Sequence, residues 1–168
     1  NRSSRGLGDV YKRQGENGSS GGIMVWKSDL YIANNHFLNN KAYAGGGLYV
    51  YSGSTGVIER NLFIGNDNIQ QDVHEVHSRA VRLQLSGNNG DEVLKFYNNT
   101  IWTESDWDYN GTGWRSLRVT GYSPQVRIIN NIVATSGNSS SAIYAQGHPV
   151  IMYNLTESYI DGGFDTFG

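Results

Sequence analysis

The sequence predicts an all-β chain, a right-handed parallel β-helix (β-solenoid) of about five coils, incomplete at least at its N-terminal end. Three observations predict it: an Asn-bearing turn pattern that recurs along the chain, a short alternating strand before each copy, and a composition suited to short strands and tight turns. The 168 residues include 22 Gly and only 2 Pro, with 17% charged side chains. Gly and Asn tolerate left-handed backbone and mark turns, while the Tyr, Ile and Val between them favour strands. Aromatic side chains make up 12% of the chain, enough ring surface to support a packed core rather than disorder.

The recurring pattern is apolar, any, Asn or Arg, Asn, any, apolar. Ile32 to Asn40 (IANNHFLNN) overlays Ile58 to Asn66 (IERNLFIGN), then Phe96 to Trp102 (FYNNTIW) and Ile128 to Ala134 (IINNIVA). Asn35, Asn61, Asn99 and Asn131 share one slot. A weaker fifth copy puts Asn154 there, with Thr156 where the closing apolar residue belongs. Successive slots are 26, 38, 32 and 23 residues apart. Before each copy runs a strand: Gly22 to Trp26, Gly47 to Tyr51, Ala80 to Gln84, Ser116 to Thr120 and Ala142 to Gln146. Each unit is then two strands, an Asn turn and a third strand, which is one coil of a solenoid. One coil cannot bury its apolar face, but stacked coils form a continuous core. The slot asparagines suit left-handed turn residues and a stacked amide ladder, a structural role. A leucine-rich repeat lacks support because its leucine spacing is absent. A left-handed β-helix would show a strict hexapeptide period, and a β-sandwich would not repeat the Asn turn. The pattern fails at Thr156, so the scaffold is expected to end near there.

Two domains of unequal meaning follow. Ser4 to Gln14 (SRGLGDVYKRQ) resembles the in-frame translation of a transposase-based sequencing adaptor. Residues 1–14 are therefore read as an unstructured, adaptor-derived artefact of a metagenomic fragment, and residues 15–168 as the β-helix. On this reading a signal peptide is missing from the fragment. Arg2, Arg5, Lys12 and Arg13 against Asp9 give residues 1–14 a charge of +3, so the whole-chain −2 becomes −5 for the rest. A mildly acidic chain is a poor match for nucleic acid. No apolar run approaches the roughly 18 residues of a membrane-spanning helix, so no membrane insertion is expected. The absence of Cys excludes a disulfide framework and thiolate chemistry.

The string Gly45 to Asn66 (GGGLYVYSGSTGVIERNLFIGN) resembles the repeats of the pectate-lyase-like superfamily of right-handed parallel β-helix proteins. It is especially similar to bacterial β-helix repeat proteins of cell surfaces. The resemblance spans about Gly21 to Phe164. It implies an extracellular or cell-surface location and a polysaccharide or surface glycan as partner. It leaves activity open, because lyases, hydrolases, esterases, tailspikes and adhesins share the fold. Tyr153 to Phe164 resembles the irregular segment that follows the last coil in such proteins.

Strand alternation assigns faces. Ile23, Leu48, Val81, Leu117 and Ile143 point inward, as do Val25, Val50, Leu83, Val119 and Ala145. Met24, Tyr49, Arg82, Arg118 and Tyr144 form an exposed outward row, and Trp26, Tyr51, Gln84, Thr120 and Gln146 a second. Aromatic rings stack on sugar faces and Arg pairs with carboxylates, as an acidic polysaccharide requires. Two insertions after the same turn, Asp67 to Arg79 and Thr103 to Arg115, are expected side by side. They offer His74, Glu75 and His77, and Trp107 and Trp114 as further substrate-binding aromatics. Glu104, Asp106 and Asp108 are candidate Ca²⁺ ligands, though no cofactor is required. Hydrolysis needs facing carboxylates, and neither outward row of the first strand carries Asp or Glu. A lyase would use Arg82 or Arg118 as base. Ser-His-Asp and Cys chemistry have no motif. The expectation is a carbohydrate-binding or adhesin-like, non-catalytic surface protein, with a polysaccharide lyase or glycoside hydrolase as the alternative.

Overall fold

A computed structural model describes residues 9–11, 20–68, 78–85, 93–104, 115–120, 126–136, 142–147, 149–156 and 160–162. The chain is a right-handed parallel β-helix, with no helix among the described residues. Strand β1 (Asp9–Tyr11) precedes the first coil, which holds β2 (Ile23–Trp26), β3 (Asp29–Ala33), β4 (His36–Leu38) and β5 (Lys41–Ala42). The second coil holds β6 (Leu48–Tyr51), β7 (Thr55–Glu59), β8 (Leu62–Ile64) and β9 (Asp67–Asn68). The third holds β10 (Ser78–Gln84), β11 (Leu94–Tyr97) and β12 (Thr100–Glu104), and the fourth β13 (Arg115–Thr120), β14 (Val126–Ile129) and β15 (Ile132–Ser136). The fifth holds β16 (Ile143–Ala145), β17 (Val150–Met152) and β18 (Leu155–Thr156), and β19 (Ile160–Gly162) follows.

Equivalent strands stack into three parallel sheets: β2-β6-β10-β13-β16-β19, β3-β7-β11-β14-β17 and β1-β4-β8-β12-β15-β18. A short β5-β9 pair adds a fourth side to the first two coils. Registers align the repeats as the sequence predicts. Ile23, Leu48, Val81, Leu117 and Ile143 share one row, and Val25, Val50, Leu83, Val119 and Ala145 another. All are buried except Ile23 and Val25, which are half-buried in the first coil. Opposite them lie Ile32, Ile58, Phe96, Ile128 and Ile151 from the second sheet, and Phe37, Phe63, Ile101 and Val133 from the third. Phe37 and Phe63 stack with ring centroids 4.5 Å apart. Burying each such side chain stabilises by roughly 1.5–3 kcal/mol relative to exposure. At Gly56 (φ 113°) a Cβ would lie 2.0 Å from the Leu30 carbonyl oxygen, so the second sheet admits only Gly there.

The Asn ladder joins the second and third sheets. In each link the upper Asn's backbone N–H and Nδ2 both donate to the next Asn's Oδ1. Asn35 donates to Asn61 at 3.0 and 3.0 Å, Asn61 to Asn99 at 3.0 and 3.0 Å, Asn99 to Asn131 at 2.8 and 3.1 Å, and Asn131 to Asn154 at 2.9 and 2.9 Å. A second Nδ2 hydrogen bond runs back to the preceding coil: Asn61 to Ile32, Asn99 to Ile58, Asn131 to Phe96 and Asn154 to Ile128. For Asn61, Asn99 and Asn131 the amide uses two donors and two acceptor sites, its full capacity. One expectation is corrected: the slot Asn is not the left-handed residue. Positive φ falls one position earlier, at Asn34, Arg60, Asn98, Asn130 and Tyr153. That residue makes the bend, which turns the following side chain inward to the ladder.

The chain departs from expectation at both ends. Residues 1–14 are not wholly unstructured, because Asp9–Tyr11 pairs parallel with His36–Leu38. The edge of β4 offers unpaired N–H and C=O groups that an extended segment of almost any sequence can satisfy. The scaffold also passes Thr156: Ile160–Gly162 pairs with Ile143–Ala145, so part of the segment expected to be irregular is a strand. Backbone pairing tolerates the weak side-chain pattern there.

Candidate functional site

Along the outer face of the first sheet, β2, β6, β10, β13 and β16 align Met24, Tyr49, Arg82, Arg118 and Tyr144 in one row. Trp26, Tyr51, Gln84 and Thr120 form the adjacent row. Gln146 lies just past β16, its N–H donating to the Val119 carbonyl. Adjacent strands are about 4.8 Å apart, so neighbouring side chains in a row are forced against one another.

That crowding corrects the expectation of a uniformly exposed face. Tyr49 is only 7% exposed, whereas Trp26 is 59% exposed and Met24 52%. Arg82, Arg118 and Tyr144 are half-buried. The Arg82 guanidinium lies 5.4 Å from the Tyr49 ring centroid, Arg118 5.7 Å from Tyr144, and Arg115 5.9 Å from Tyr144. Tyr49 also packs on Tyr51, centroids 5.7 Å apart, and its hydroxyl donates to Gln84 Oε1 at 2.8 Å. Burial pushes the Tyr49 phenol above its ordinary range, partly offset by the Arg82 charge. It therefore stays a neutral donor at physiological pH.

Arg82 and Arg118 are direct register partners on neighbouring strands, an arrangement of like charges that destabilises a sheet. Tyrosine faces at both ends of the pair offset part of that cost, each by about 0.5–2 kcal/mol. Arg82 Nε is buried without a hydrogen-bond acceptor among the described residues. Such an arrangement can hold an anionic group across two guanidinium forks.

Other predicted positions divide. His74, Glu75, His77, Asp106, Trp107, Asp108 and Trp114 lie outside the described residues. Glu104 is exposed at the end of β12. No group of three His, Asp or Glu side chains suited to a metal occurs among the described residues. The insertions are shorter than expected, because Asp67, Asn68, Ser78, Arg79, Thr103, Glu104 and Arg115 belong to strands. Both return to the first sheet at the same edge, where Ser78 registers with Arg115, and the buried Thr103 and Ser116 hydroxyls meet at 2.7 Å across the second insertion.

Three features escaped the sequence reading. A second ladder pairs buried Asn40 with Asn66, whose Oδ1 accepts from Asn40 N and Nδ2 at 3.1 and 3.0 Å. Its signal was the repeated 26-residue interval. The third sheet's outer face exposes Ile64, Trp102, Ile132 and Leu155, and period-2 alternation could have assigned them. A strand, Ile160–Gly162, follows the fifth coil and puts Asp161 in register with Tyr144. Searches of family models, curated proteins and solved structures return no match to this chain.

Proposed function

We propose that this chain belongs to a secreted or cell-surface protein whose first-sheet face binds a polysaccharide or surface glycan without turning it over. The observation that carries the reading is the row in which Arg82 and Arg118 stand in register between Tyr49 and Tyr144. Beside it, Trp26 presents an exposed ring of the kind that stacks on a sugar face. The resemblance to cell-surface members of the pectate-lyase-like superfamily supports the same reading. Polysaccharide lyase action is the second reading, favoured by Arg82 and Arg118, the candidate bases, standing in register on neighbouring strands. Incubation with pectin, alginate and chondroitin tests both. Retention of glycan with no rise in absorbance from unsaturated uronate supports binding alone. A rise in that absorbance rejects it in favour of the lyase, and retention of no glycan rejects the glycan reading.

A further inference from the structure

The outer face of the third sheet is chemically unlike that of the first. Register places Leu62, Thr100, Ile132 and Leu155 in one outward row, with Ile64 and Trp102 side by side in the next. From β4 to β18 neither row holds Asp, Glu, Lys or Arg, and the ionisable His36 stands at the first-coil end of its row. Glu104, exposed at the end of β12, lies at one border. Ile64, Trp102, Ile132 and Leu155 are each between 37% and 67% exposed. The inward side chains of these strands, among them Phe63, Ile101 and Val133, are fully buried, so the core is filled without the outward ones. Single exposed apolar side chains are ordinary, but these occupy adjacent strands and form one contiguous patch.

We infer that this face docks a second copy of the chain, sheet against sheet, across a two-fold axis. It is independent of the glycan-binding reading, which concerns the first sheet. The four exposed side chains present roughly 400 Å² of apolar surface per copy, the size of patch that marks an interaction site. Two such faces in contact remove about 800–1,000 Å² from water, at the lower limit for a specific interface and suited to a weak, reversible dimer. Spacing favours a second copy over an unrelated protein. Outward side chains repeat every ~4.8 Å along the axis, and a surface with the same repeat interdigitates with them strand after strand. Branched Ile and Leu offer no flat ring to a sugar, which argues against a glycan here. Strand β12 is the middle one of β4-β8-β12-β15-β18, so a symmetric pair brings Trp102 close to the two-fold axis. The centre of an interface is where Trp contributes most to binding. Glu104 and His36 fall at the polar rim, and the uncharged rows bring no like charges together.

Sedimentation of the full chain from about 1 to 500 µM tests the dimer, with an expected dissociation constant on the order of 10–100 µM. Trp102→Arg and Ile132→Lys should each weaken association by about tenfold or more, with circular dichroism unchanged because both side chains are exposed. Trp26→Ala, which removes an exposed ring from the first sheet, should leave association as it is. Hydroxyl-radical footprinting of the unmodified chain reads the same face without any variant. Labelling of Trp102 should fall as concentration rises while that of Trp26 stays constant. Equal labelling of Trp102 at both ends of the range, or a monomer throughout it, overturns the inference. A series of species larger than the dimer also overturns it, by placing the contact at the coil ends. So does a monomer whose retention on a glycan is lost in Trp102→Arg, which assigns the face to a sugar.

Discussion

The Asn ladder and the Tyr–Arg row both run along this helix, and they differ in what they leave unsatisfied. At the central rungs of the Asn ladder each amide meets its full set of partners inside the molecule. The Tyr–Arg row of the first sheet is held by stacking, with like charges in register and the buried Arg82 Nε lacking an acceptor among the described residues. A ladder that closes on itself is scaffold. A row with guanidinium groups in register and the Arg82 Nε without an acceptor among the described residues is suited to an anionic ligand.

The comparison breaks most sharply at the central rung. Asn99→Ala would strand the Asn61 N–H and Nδ2 donors and the Ile58 carbonyl in a buried turn. The expected loss is roughly 3–5 kcal/mol, read from urea unfolding, because each stranded group costs about 1–3 kcal/mol. Asn99→Asp sharpens the same point through pH. An ionised carboxylate would face the Ile58 carbonyl and Asn131 Oδ1, both acceptors, so its folded pKa would rise above the unfolded value. Protonation restores a donor, so the variant should be most stable below the unfolded carboxylate pKa. It should lose stability as pH rises through the raised folded pKa. A pH-independent melting difference from wild type would contradict this.

Smaller effects are expected at the edge of the Asn ladder and on the outer face of the first sheet. Asn35→Ala, at a half-buried first rung, should cost about 1–2 kcal/mol in the same urea assay, less than Asn99→Ala. Arg82→Ala should change stability by less than about 1 kcal/mol, since loss of stacking on Tyr49 is offset by relief of the Arg118 repulsion, yet reduce retention of anionic glycan. Trp26→Ala should leave the melting temperature within error of wild type, because its ring is mostly exposed.

The asparagine ladder was legible in the sequence for a physical reason. Few side chains can accept twice and donate twice at one turn, so the slot repeats Asn even while coil length varies. The inward rows were legible because alternation leaves no choice once one face is buried. The Asn40–Asn66 pair was harder to read because it spans only two coils, and β12 continues as strand where that turn would fall. The candidate site was legible in its membership but not in its depth. Alternation sends Tyr49 outward, yet its neighbours Arg82 and Tyr51 cover it.

The sequence by itself determined the coil, the ladder and which side chains face the core, because each depends on local periodicity and a repeated hydrogen-bonding slot. Tertiary structure alone decided which outward residues become neighbours across coils, how deeply Tyr49 is covered, and that Ile160–Gly162 pairs with Ile143–Ala145. Those outcomes depend on register between strands separated by loops of unequal length. No local pattern encodes that register; the stacking of whole coils sets it.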